Sequence, residues 1–366
     1  MHTVTFYPLG NADSYLVELE KGKILLFDYA NMRDPEDESD RRIDLAAELR
    51  SVLETSDRNY FDVVAFTHAD DDHVHGASEF FYLEHADKYQ SDERIKISEL
   101  WVPAAMILED GLEDEARILR AEARQRLIEG KGIRIFSRPD ALASWLEEHG
   151  LTLDSRRHLI TNAGGLVPGF TKADVGVEFF VHSPFSKHCD EGEIDRNTAS
   201  LVVQATFDTE TKLLLAADTT HEVWQDIVNI TKAHKNESRL AWDLYKLPHH
   251  CSYLTLGPEK GKEKTKPVDE VRWLLDQGQQ SAIVVITSDP IPAGDSIQPP
   301  HRQAYNCYNE HVAKINGQIK VTMEHPSKEK PEKLTIKIDS IGGATVAKQI
   351  TAPAIIVTGR PAPRAG

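Results

Sequence analysis

The chain has 366 residues, 40% of them hydrophobic, enough to bury the core of one large α/β domain or two smaller ones. Its 59 acidic against 42 basic side chains leave a formal charge of −17, which opposes non-specific binding to phosphate backbones and confines any nucleic-acid role to a local patch. Cys189, Cys251 and Cys307 show no CxxC spacing, so neither a disulfide framework nor a zinc ribbon is supported, and a reducing compartment is expected.

The N-terminal MHTVTFYPLG lacks the basic flank and apolar core of a secretory signal. No run approaches the roughly 18 apolar residues of a membrane helix, and the expectation is a cytoplasmic protein without a membrane partner. TVTFYPLG, DSYLVELE and KILLFDYA read as three consecutive strands, followed by the helix RRIDLAAELRSVLETS and the apolar strand YFDVVAFTH. Next come the strand KISELWVP, the helix LEDEARILRAEARQRLIEG, the strand GIRIF and the helix DALASWLEEHG. After the Gly-rich NAGGLVPG the pattern restarts with strands GVEFFVHSP, ASLVVQATF and KLLLAAD, the helix HEVWQDIVNITKAH and the strand AWDLYKLPHH.

GPEKGKEKTKP reads as a mobile loop. The helix PVDEVRWLLDQG, the strand SAIVVITSD, the helix HRQAYNCYNEHVAKING and the strand QIKVTMEH follow, and the last forty or so residues hold short strand-like runs ending in a frayed RPAPRAG.

The chemistry concentrates in DVVAFTHADDDHVHG, where six ionisable groups crowd the end of an apolar strand. Such a cluster repels itself unless a cation lies within it. Extended backbone sends His68, Asp70 and Asp72 to one side, and a turn brings in His73. Further ligands are expected at other strand ends, and two qualify: Asp218 closing KLLLAAD, and the pair His249 and His250 closing LYKLPHH. A merely solvated acidic loop is the bland alternative.

THADDDH resembles the metal-binding signature of the metallo-β-lactamase superfamily, in the HxDxDH form of the hydrolase domain of bacterial competence (DNA-uptake) proteins. GNADSYLVEL, ILLFDYA, HSP, NTASLVV, LLLAAD and LYKLPHHCS fall in the family's order over residues 8–253. The resemblance implies a four-layer αββα sandwich, with a hydrolase domain over residues 1–325 and a short C-terminal β extension with its tail over 326–366. It also implies two divalent metal ions sharing a bridging hydroxide. His68 and Asp70 would hold the first ion, Asp72, His73 and His250 the second, and Asp218 would bridge them. Asp72, Asp218 and His250 would carry the catalysis, and His182 in FFVHSP is a further candidate ligand. Asp28, His75, His249 and Asn197 would support the ligands or face substrate. Cys251, standing where the family has glycine, is read as packing.

Imidazole with carboxylate suits zinc, and Asp70 in place of a family histidine admits manganese or iron. The leading expectation is a phosphodiesterase or nuclease acting on nucleic acid or a nucleotide-derived molecule, by analogy within a larger bacterial system that includes a protein partner. The alternatives are hydrolysis of an ester, thioester or lactam, and a binding subunit whose metal site is idle.

Overall fold

Alternating apolar residues set the strands of this computed structural model, which describes residues 1–190, 193–339 and 343–347. β1 (His2–Phe6), β2 (Tyr15–Glu18) and β3 (Ile24–Phe27) form an antiparallel meander in which Val4 faces Val17 and Leu16 faces Leu26. β4 (Tyr60–Ala65), β5 (Lys96–Pro103), β6 (Ile133–Phe136) and the two-residue β7 (Ile160–Thr161) then add in parallel. Parallel neighbours need crossovers, and helices Leu45–Thr55, Asp114–Glu129 and Asp140–Glu148 lie in three of them. The first of these helices starts at Asp44, whose carboxylate accepts from Ala47 N at 2.9 Å, and buries Leu45, Leu49 and Leu53 at four-residue spacing.

The second sheet repeats this plan. β8 (Val177–Ser183), β9 (Val202–Phe207) and β10 (Lys212–Ala216) pair antiparallel, and β11 (Trp242–Lys246), β12 (Gly278–Ile286) and β13 (Gln318–Val321) continue in parallel. Helices His221–Ala233, Asp269–Leu275 and Arg302–Lys314 make the crossovers. The chain then returns to the first sheet. β14 (Leu334–Asp339) lies antiparallel to β1, with His2 opposite Ile338 and Phe6 opposite Leu334, and β15 (Gly343–Val346) adds outside it.

Three apolar layers result. Val4, Phe27 and Val63 of the first sheet meet Phe179, Leu213 and Leu244 of the second, while the outer face of each sheet packs on its own helices. Two sheets face to face with helices outside are the four-layer αββα arrangement that the sequence implies.

The lysine-rich loop departs from its reading as mobile. Lys260 donates to Ser296 O at 2.9 Å, Thr265 N to Gln303 O at 3.0 Å and Asn306 Nδ2 to Glu263 O at 2.7 Å, so its backbone is fixed by partners distant in sequence. RPAPRAG lies outside the described residues. Among the described residues no helix is long and apolar enough to cross a membrane.

Because Ile336 is fully buried between the sheets, Ile336→Ala should lower unfolding free energy by roughly 2–5 kcal/mol, whereas Lys337→Ala on the opposite face should change it by less than about 0.5 kcal/mol. Urea titration of the two variants measures the difference.

Candidate metal centre

The acidic turn hangs from the C-terminal end of β4. Asp70 keeps an extended backbone, and a single helical turn, Asp71–Val74, brings His73 back beneath it through His73 N donating to Asp70 O at 2.9 Å. Asp218 follows β10 by two residues, and His250 follows β11 by four. His249, His250 and Cys251 all have left-handed φ, at +48°, +50° and +67°. Each such non-glycine residue costs on the order of 1 kcal/mol, so three in succession mark a turn imposed by its surroundings. Leu247 N donating to Val285 O at 2.9 Å and His250 Nδ1 donating to Thr287 O at 2.6 Å hold it.

The side chains converge. His73 Nε2 stands 3.3 Å from Asp218 Oδ1 and 4.0 Å from Asp72 Oδ1, while His250 Nε2 stands 3.0 Å from Asp72 Oδ2 and 4.0 Å from Asp218 Oδ2. His68 Nε2 is 3.5 Å from Asp70 Oδ2, and the His68 and His73 rings are 4.0 Å apart. Ligands held at about 2 Å from one ion stand about 3–4 Å from one another. The ligand atoms of Asp72, His73, Asp218 and His250 all lie within 4.8 Å of one another, whereas His68 and Asp70 fall outside that group. Among the buried atoms without a hydrogen-bond partner are His68 Nε2, His73 Nε2 and Asp218 Oδ1. Buried polar atoms are paired as a rule, and divalent cations held here would satisfy these three.

Asp28 prepares His73 for this. Its Oδ1 accepts from Thr67 N at 2.7 Å, and its Oδ2 accepts from Thr67 Oγ1 at 2.7 Å and from His73 Nδ1 at 2.9 Å. With Nδ1–H committed to Asp28, Nε2 is the nitrogen turned toward the cluster, and a cation there would displace its proton. Burial opposes a charge on His73, but Asp28, Asp218 and Asp72 outweigh it and raise its pKa well above the ordinary value. Asp218 and Asp72 move the other way: burial would raise them, yet the neighbouring histidines, His73 foremost, hold both below the usual carboxylate range.

The remaining candidates divide. His249 borders the cluster, with Nε2 3.9 Å from Asp218 Oδ2, and burial lowers its pKa. His75 turns to the surface and pairs with Asp71 at 3.1 Å. Asn197 lies in a turn bonded to the acidic loop, where Leu201 N donates to Thr67 O at 3.0 Å, and its buried Oδ1 has no partner. Cys251 is fully buried in the apolar layer under helix Arg302–Lys314.

His182 is a correction: it is not a ligand of this cluster. Strand alternation sends Phe179 and Val181 between the sheets, so His182 joins Phe180 on the outer face, where Nε2 donates to Arg239 O at 2.9 Å. There it lines a cavity of about 350 Å³ with Phe185, Ile227 and Ile230.

Sequence reasoning missed two elements. Lys246 and Asp13, both fully buried, form an ion pair between β11 and the β1–β2 connection, and Asp13 N donates to Asp72 O at 3.0 Å. Arg196 donates to Asp70 Oδ1 at 2.8 Å and to Glu109 Oε1 at 2.8 Å. The lysine in LYKLPHH was the available signal, since a charge inside an otherwise apolar strand needs a partner.

No protein-family model and no curated protein matches the chain. Solved structures similar to it include a diphosphatase from the PhnP family, at 9% identity over 93% of this chain and 98% of that one, TM-score 0.37. Another, described as a metal-dependent hydrolase from Parabacteroides distasonis, shares 9% identity over 87% and 92%, TM-score 0.35. A metallo-β-lactamase mutant from Cronobacter sakazakii shares 13% over 66% and 75%, TM-score 0.27.

Two outcomes test these assignments. Lys246→Met strands the Asp13 carboxylate and should cost roughly 3–5 kcal/mol, while the double variant Asp13→Asn/Lys246→Met should recover most of that loss in urea titration. Burial pushes His182 down to about 4 from 6.5, so the unfolded chain takes up a proton through that window and the folded chain does not. Stability therefore falls as pH drops from 6.5 to 4, and His182→Gln should flatten the profile there.

Proposed function

We propose that the chain is a metal-dependent hydrolase that cleaves phosphodiester bonds in nucleic acid or a nucleotide-derived substrate. The observation that carries this is the convergence of Asp72, His73, Asp218 and His250, whose ligand atoms lie within 4.8 Å of one another, with His73 Nε2 and Asp218 Oδ1 buried and unpartnered. His68 and Asp70 would hold one divalent cation and Asp72, His73 and His250 a second, with Asp218 between them. Zinc suits this mixture of imidazole and carboxylate best, with manganese or iron next. Such cations, when bound, lower the pKa of a coordinated water and neutralise charge on the group under attack.

The protein's own contribution is placement. Asp28 and Thr67 fix the tautomer and plane of His73, and Thr287 O does the same for His250. Asp72 and Asp218, ionised under the influence of the histidines, are acceptors that can orient an attacking water toward the substrate. His249, partly open to solvent beside Asp218, would face the substrate. The competence-type form of THADDDH favours a phosphodiester over a carboxylic ester, and the reading includes a cytoplasmic setting with a protein partner.

The test measures bound metal and turnover of bis-p-nitrophenyl phosphate, single- and double-stranded DNA, RNA and nitrocefin in zinc and in manganese. Diester turnover should disappear in Asp72→Ala and Asp218→Asn. Asp28→Asn should weaken metal binding by about 10–100-fold. Turnover of nitrocefin or a thioester alone would establish the other electrophile, and full metal occupancy without turnover would establish a binding subunit.

A further inference from the structure

Arg196 is held beside the cluster by a rigid piece of chain. Thr198 N donates to Asp195 Oδ1 at 2.7 Å, Ser200 Oγ to Asn197 O at 2.7 Å, and Leu201 N to Thr67 O at 3.0 Å, next to His68. Its Nη1 donates to Asp70 Oδ1 at 2.8 Å, and the other oxygen of Asp70 is the one that stands 3.5 Å from His68 Nε2. The guanidinium is thus one carboxylate away from the proposed metal ligands.

Among the described residues, two cations pair with acids of the cluster, Lys246 through Asp13 and Arg196 through Asp70. Lys246 has no exposure, whereas the Arg196 side chain is 33% exposed, so Arg196 is the one an incoming molecule can touch. Nor is its donor capacity used up. A guanidinium carries five N–H groups. Glu109 Oε1 takes Nε and lies 2.8 Å from Nη2, and Asp70 takes one hydrogen of Nη1, which leaves hydrogens on Nη1 and Nη2 for a further acceptor.

Charge points the same way. Arg196 stands between two carboxylates, and when Asp70 commits its charge to a cation only Glu109 remains to balance the guanidinium. A cation held at Asp70 would add positive charge beside the Arg196–Glu109 pair, and an anionic group on the substrate would offset it. Phosphate oxygens match the planar fork of arginine, whereas a neutral ester or lactam offers no charge to it.

We propose that Arg196 is the specificity-determining residue of this site: its free N–H groups grip a phosphate oxygen of the substrate and select anionic phosphoesters over neutral esters and lactams. This rests on the hydrolase reading above and names the chemistry the site prefers.

The experiment uses the full chain loaded with zinc, comparing wild type with Arg196→Lys and Arg196→Gln. Inorganic phosphate binding is measured by calorimetry, metal content by elemental analysis, and kcat and KM on bis-p-nitrophenyl phosphate and p-nitrophenyl acetate. In Arg196→Gln, phosphate binding should weaken at least tenfold, the diester KM should rise more than kcat falls, and preference for diester over acetate should drop at least tenfold at unchanged metal content. Arg196→Lys should lie between the two. Phosphate affinity within twofold of wild type would overturn the proposal, as would a parallel loss of metal, which would reduce Arg196 to a support for Asp70. If wild type binds phosphate through Arg196 but cleaves no diester, the phosphodiesterase reading fails and the anion site stands. If wild type cleaves the diester with no dependence on Arg196, this inference alone fails.

Discussion

Electrostatic repulsion among buried carboxylates is the constraint that the site answers. Asp13, Asp28 and Asp218 are almost wholly buried, with Asp72 only partly open, and such a group cannot stay charged away from water without compensation. Each has an assigned relief. Lys246 neutralises Asp13, Thr67 and His73 hydrogen-bond Asp28, and His250 and His73 stand against Asp72 and Asp218. Among the described residues, the buried atoms of this region left without a hydrogen-bond partner include Nε2 of His68 and His73, Nδ1 of His249, and one oxygen each of Asp13 and Asp218. These atoms lie at the ends of strands from both sheets.

That geometry makes the two-sheet layout a matter of function as well as packing. β3 and β4 deliver Asp28 and the acidic turn from one sheet, and β10 and β11 deliver Asp218 and His250 from the other. The Lys246–Asp13 pair spans the gap, and the Asp13 N–H then fixes the carbonyl of Asp72. The separation of the sheets is thereby tied to the separation of the ligands.

The strands and crossover helices were legible because each buries a continuous face, so periodicity reports them. KISELWVP, for example, is β5 residue for residue. The two-residue β7 was not legible, since two residues show no period, and neither was the pairing of β14 with β1, which joins residues more than 300 positions apart in sequence. The strand ends that converge are those the sequence marks by polar groups after apolar runs. His182 also follows an apolar run, and the alternation of Phe179, Phe180 and Val181 would have told its face had each position been assigned to a layer. Arg196 and Asp13 act across 126 and 233 residues respectively, distances that no local pattern encodes.

Placing β1 between β2 and β14 has a consequence for synthesis. During translation the first strand can zip to β2 early, but its other edge has no native neighbour until residues 334–339 have been made. Until then a strand with buried apolar residues presents unpaired backbone groups, a template for wrong partners. Closing that edge late also delays the last support for the β1–β2 connection that carries Asp13, so the pocket is complete only once residues 334–339 have been made.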